Sequence, residues 1–135
     1  MPIEILTISE WIGVSKKDTV VENPTWEEVE GAVRALNNRN LNDLYLQPAR
    51  QDPETFLCIG GGDGRYLVSG SIGNEEFPTV VDPAKPSDVV EHLVVGGQTG
   101  DYAGNWIVDL ETALRAARSF FESGDFGGDV QWERV

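Results

Sequence analysis

At 135 residues the chain has the length of one domain, able to bury roughly two thirds of its unfolded surface without covalent staples. A single cysteine excludes an internal disulfide, and no apolar run approaches the ~18 residues of a membrane-spanning helix. The formal charge of −13, from 23 acidic and 10 basic side chains, argues against direct contact with a nucleic-acid backbone.

That charge is unevenly spread: residues 1–50 carry −3, residues 51–108 carry −7 and residues 109–135 carry −3. The middle stretch sets only Arg65 and Lys85 against nine carboxylates, a composition that attracts a basic protein and equally serves solubility. The opening MPIEILTISEW has neither a basic leader nor a long apolar core, so a cytoplasmic location is expected.

In chain order, IEILTI at 3–8 reads as a first strand, followed by a polar stretch. Thr25 and Glu28 have capping-box spacing, and Trp26, Val29, Val33 and Leu36 then recur every three or four residues, predicting a helix with one apolar stripe that ends at NNRN. Glu30 and Arg34 are spaced to pair on its outer surface. Between Asp43 and Asp109 the segments DLYLQ, TFLCIGG, RYLVSGSI, FPTVVD, VVEHLVVGG and NWIVD read as short strands. They lie too close together for helical crossovers, so the sheet should be antiparallel. Asp109 as N-cap and Gly124 beyond the C-terminus bracket a second helix whose apolar side is Leu110, Ala113, Leu114, Ala117, Phe120 and Phe121. GGDVQWERV then supplies a short last strand, with Trp132 sealing the core and its indole N–H in need of a partner. The reading is a single α+β domain over 1–135, an antiparallel, curved meander sheet flanked by two main helices, with a short C-terminal strand.

Two glycine-rich stretches invite a functional reading. GGGDGR at 60–65 lacks the lysine and the following helix of a phosphate loop, and suits a hairpin with Asp63 and Arg65 at its tip. GGQTGDYAGNW at 96–106 reads as a loop between strands, in which an acid, two amides and two aromatics have the composition of a protein-binding hot spot. Gly96 and Gly97 are assigned to structure there, and Asp101, Tyr102 and Trp106 to contact. Trp26 and Trp132 are assigned to packing.

Catalysis is poorly supported. His92, the one histidine, sits in an alternating strand, and zinc would have only His92 and Cys58 as ligands of its usual kinds. No EF-hand loop is present, and no cofactor or metal is expected. Cys58, flanked by Phe56, Leu57 and Ile59, reads as a thiol packed in a strand.

From about Asn23 to Glu133 the chain resembles immunity protein family one of the bacterial polymorphic toxin systems. The resemblance rests on NPTWEEVEGAVRAL, FLCIGGGDGRYLV, GGQTGDY and ARSFFESG followed by QWE, in that order. It implies an inhibitor that neutralises a cognate secreted toxin by binding, rather than an enzyme. Nucleic-acid deaminases are prominent among the toxins of that family, which implies a basic, nucleic-acid-acting toxin domain whose groove an acidic surface would occlude. The contact residues expected on charge and loop composition are Asp63, Arg65, Glu75, Glu76, Asp101, Tyr102 and Trp106. A non-catalytic regulatory or scaffold domain binding another basic protein shares the same physical features. The free chain is expected to be a monomer or a weak homodimer through an exposed strand edge.

Overall fold

The computed structural model describes residues 3–128 and 130–134. Its elements are β1 (Ile5–Ile12), β2 (Ser15–Glu22), α1 (Trp26–Ala35), β3 (Leu41–Gln47), β4 (Phe56–Gly62), β5 (Arg65–Ser71), β6 (Pro78–Val81), β7 (Val90–Val95), β8 (Gln98–Ala103), β9 (Ile107–Val108), α2 (Leu110–Ser123) and β10 (Gln131–Arg134). The sheet runs β10-β6-β5-β4-β3-β1-β2 with β9 paired to β5, and every pairing is antiparallel. This is the α+β architecture expected. Two features depart from the sequence reading. The polar stretch after the first strand is β2, and β7–β8 leaves the main sheet as a separate two-stranded ribbon.

Both helices start and stop where their caps dictate. Thr25 Oγ1 accepts from the Glu28 N–H at 3.2 Å while Glu28 Oε1 accepts from the Thr25 N–H at 2.9 Å, closing both halves of the capping box. Asp109 Oδ1 accepts from the Thr112 N–H at 2.8 Å, and Gly124, with φ 73°, donates its N–H to the Phe120 carbonyl at 2.7 Å. The helices cover one face of the sheet. Val29 and Val33 of α1 and Ala113, Ala117 and Phe120 of α2 are fully buried against Leu6, Leu44, Leu46, Leu57, Ile59 and Val68. Alanine at 113 and 117 leaves no side chain to hold α2 away from the strands.

Three of the four tryptophans, on α1, β10 and β1, pack against neighbouring segments. Trp26 lies 5.8 Å from Phe121, and the Arg118 guanidinium sits 4.9 Å above its ring. Trp132 on β10 packs edge-on against Phe126, and its indole N–H donates to the Gly127 carbonyl at 3.1 Å, which is the partner its burial requires. Trp11 at the far end of β1 lies under the turn that joins β7 to β8, so close to Gly97 that a Cβ there would come 2.5 Å from the ring.

β2 escapes sequence reading because it sits at the end of the sheet with nearly every side chain exposed. SKKDTVVE buries no side chain fully and so carries little alternation. FPTVVD shortens to Pro78–Val81, and in NWIVD only Ile107 and Val108 pair, Asn105 and Trp106 forming a 3₁₀ turn with Gly104.

Two glycines with opposite constraints provide a test. Gly62 has φ 132°, and a Cβ there would lie 2.4 Å from the main chain of Leu36 and Asn37, which cannot yield. Gly62→Ala should therefore lower the unfolding free energy by about 2 kcal/mol or more. Gly31 is helical with open space around it, so Gly31→Ala should raise it by about 0.8 kcal/mol. Urea unfolding of the two variants beside the parent protein checks both signs.

Candidate partner-binding surface

The hairpin β4–β5 turns at Asp63 and Gly64, with φ 57° and 88°, a two-residue turn in which both central residues are left-handed. The end of α1 braces it: Asp63 N–H donates to the Leu36 carbonyl at 3.3 Å and Asn38 N–H to the Gly61 carbonyl at 2.9 Å. Asp63 is left exposed beside Asn37, Asn38 and Arg39 around a polar cavity of about 380 Å³.

Arg65 does not stand free at that tip. Its guanidinium reaches Glu91 on β7 at 3.0 Å and donates to the His92 carbonyl at 2.9 Å. Lys85 meets the same carboxylate at 3.1 Å and donates to the Ile107 carbonyl at 3.0 Å. Burial pushes the Glu91 carboxyl up, but Lys85 and Arg65 outweigh it and hold the group below the ordinary carboxylate range. The two cations of the acidic middle stretch thus share one inward-facing acid. Among the described residues neither forms an ion pair with Asp63, Asp82, Asp88 or Asp101.

The stretch expected to be a loop at 96–106 is built differently. Gly96 and Gly97, with φ 63° and 77°, are the turn of a hairpin, and QTGDYA is β8, paired to β7 from Val90–Ala103 to Val95–Gln98. Two asparagines of the helix-terminating segment and β3 clasp it, Asn38 Oδ1 accepting from the Val94 N–H at 2.7 Å and Asn42 Oδ1 from the Gly97 N–H at 3.0 Å. Beneath it Leu93 is buried with Leu67 and Ile107, and Val95, Tyr102 and Trp106 pack around them. Tyr102 therefore points into the seat of the hairpin, and burial followed by the nearby Cys58 raises its phenol above the ordinary value. Trp106 belongs to the same seat rather than to the surface. The opposite side of the hairpin faces solvent with Val90, His92 and Asp101, where His92 Nδ1 and Asp101 Oδ1 lie 2.5 Å apart.

Glu75 and Glu76 lie elsewhere. They sit exposed in the turn from β5 to β6, Glu76 pairing with Arg134 at 3.5 Å. The seven-residue run of β5 from Arg65 to Ser71 puts about 20 Å between them and the Asp63 end. The seven candidate residues therefore divide. Asp63 and Asp101 share one end of the molecule, Glu75 and Glu76 occupy the other, and Arg65, Tyr102 and Trp106 hold the hairpin in place.

Sequence reasoning missed a polar cluster under the hairpin. Asp43, buried on β3, accepts from Tyr45 Oη at 3.1 Å and faces the Trp11 indole N–H at 3.4 Å. The i, i+2 spacing of Asp43 and Tyr45 was the available signal, since it puts both on one face of a strand. Cys58 lies beside them, its thiol pushed up to about 12 by burial and by Asp43, so it is protonated and inert at neutral pH. Among the described residues no group of three or more His, Cys, Asp or Glu is placed to hold a metal ion, and no helix is long and apolar enough to cross a membrane.

The Glu91 cluster gives the hairpin an acid dependence. A carboxyl held below its ordinary value of 4.5 stabilises the fold above that pH and loses this contribution as pH falls through its folded value. Glu91→Gln should flatten the acid side of the stability profile between neutral pH and about pH 3. Hydrogen exchange of the β7–β8 amides should quicken on acidification in the parent protein more than in the variant.

Among curated proteins none matches the chain. Residues 17–134, from β2 through β10, match the family model described as immunity protein Imm1. With that match spanning most of the domain, including both glycine-rich hairpins and the two capped helices, the chain belongs to the Imm1 family of immunity proteins.

Proposed function

We propose that this immunity protein neutralises a basic, nucleic-acid-acting toxin in the cytoplasm, a deaminase by first choice, by laying the acidic end formed by β4–β5 and β7–β8 over the toxin's substrate groove. The observation that carries the reading is the internal use of Arg65 and Lys85. Both cations of the middle stretch are engaged by Glu91 and neither pairs with the exposed Asp63, Asp88 or Asp101. Val89 and Val90, which follow Asp88 in the chain, lie exposed as well. An apolar centre with a charged rim is the composition of a protein-binding patch. Negative charge there would speed association with a cationic groove and disfavour neutral or acidic competitors. The toxin's groove must admit a single-stranded or flipped base, so a rigid hairpin filling it excludes substrate without any chemistry by the inhibitor.

The two ends of β5 separate this reading from a diffuse electrostatic one. Asp63→Lys combined with Asp101→Lys should weaken binding to the co-expressed toxin by about tenfold or more, mostly through a slower and less salt-sensitive association. Glu75→Lys combined with Glu76→Lys makes the same change in net charge at the far end and should leave affinity within about twofold. Titration calorimetry and stopped-flow association at two salt concentrations measure both. Equal losses from the two pairs would mean that net charge alone matters, and a loss confined to the Glu75–Glu76 pair would move the interface to the other end.

A further inference from the structure

β2 ends the sheet order, pairs with β1 through eight successive residues without a bulge, and contains no proline. Native sheets blunt such edges by shortness, bulges, proline, covering segments or charged side chains, and of these β2 has only charges, of both signs. The opposite edge, β10, is four residues long, whereas β2 is eight. Ile12, Val14 and Val20, at 69%, 98% and 58% exposure, account for three of the six large apolar side chains exposed among the described residues.

The turn before β2 fixes which main-chain groups face outward. Gly13 has φ 63° while Val14 is not left-handed, so the two-residue loop is of the type with glycine first, and Ile12 lies opposite Ser15 as a hydrogen-bonded pair. Alternation then turns the N–H and C=O groups of Lys16, Asp18, Val20 and Glu22 away from β1. Among the described residues no strand lies on that side.

A second copy of the same strand fits this edge in one register. Extending the sheet with helices on the same side requires that opposed residues share a face, so a two-fold axis must pass through a residue. Of the four central residues, an axis through Lys17 or Asp18 sets like charges directly opposite. An axis through Val20 sets Asp18 against Glu22 and Lys16 against Pro24, which has no N–H. An axis through Thr19 sets Lys16 against Glu22 twice, Lys17 against Val21, Asp18 against Val20, and the two threonines face to face. All four outward residues then meet outward residues, giving about eight main-chain hydrogen bonds.

We propose that two copies of this chain associate through antiparallel β2–β2 pairing about a two-fold axis through Thr19, with Lys16 of each copy facing Glu22 of the other. Within its own chain Lys16 already lies 3.4 Å from Asp18 and Glu22 pairs with Arg50, all in solvent, so the contact assembles a larger charge array rather than burying an ion pair. One strand pair covers less than the ~800 Å² per partner of a stable interface. The dimer is therefore reversible and concentration-dependent.

Sedimentation of the full chain alone, from micromolar to millimolar concentration, tests this. The expected result is a weight-average mass that climbs toward twice that of the monomer. Val20→Pro removes an outward N–H while sparing the ladder to β1, and should sediment as a monomer with an unchanged circular dichroism spectrum. Lys16→Glu and Glu22→Lys place like charges opposite each other in their own homodimers and should each associate about tenfold more weakly. An equimolar mixture of those two variants restores both opposite-charge pairs and should recover association. A parent chain that stays monomeric throughout overturns the proposal, as does a folded Val20→Pro protein that dimerises normally. So does a mixture that associates no better than either variant by itself.

Discussion

Three glycines at the end of β4 let the rest of the molecule converge. Gly60 and Gly61 receive Val95 and Leu93 of β7 at distances that leave no room for a Cβ, and Gly62 takes the main chain at the end of α1 just as closely. Side chains at these positions would lift the β7–β8 hairpin off the sheet and push α1 outward. With glycine there, the helix terminus, the β4–β5 tip and the hairpin lie against one short stretch of strand. Asn38 and Asn42 can then reach hairpin amides more than fifty positions away in the chain. Such contacts are enthalpically useful only if the partners are already held within hydrogen-bond distance. The glycines supply that proximity.

Electrostatics divide along the same line. Arg34 faces Glu30 and Arg118 faces Glu122 one turn away on their own helices, in solvent. Such exposed pairs contribute little to stability. Arg65 and Lys85 differ because they join separate elements through one partly shielded acid. One cluster thus ties the hairpin to β5 and to the segment before β7.

What could be read from the sequence was what local chemistry decides. The caps at Thr25 and Asp109, the stop at Gly124 and the Asp63–Gly64 turn each depend on residues within a few positions, and all fall where the sequence puts them. β2 and β8 were hidden for opposite reasons. β2 has almost no buried side chain to impose alternation, and β8 carries Gly100 and a polar run whose extended form depends on pairing with β7 and on seating Tyr102. The direction of Arg65 was likewise beyond sequence, because its partner lies twenty-six residues on and is brought close only by the fold. Composition marked the acidic stretch as a whole. It had no means of separating the Asp63 end from the Glu75 end, since their distance apart is set by the length of β5.

Cys58 has a consequence for how this molecule responds to its surroundings. As the sole thiol, buried on β4 beneath Tyr45 and Tyr102 and kept protonated by its setting, it is shielded from oxidants and alkylating agents while the sheet is intact. Wider access requires Tyr45 or Tyr102 to move off it, so the rate at which the thiol reacts reports local opening of the hairpin seat. An immunity protein under oxidative stress would therefore lose its cysteine only as fast as that local seat opens.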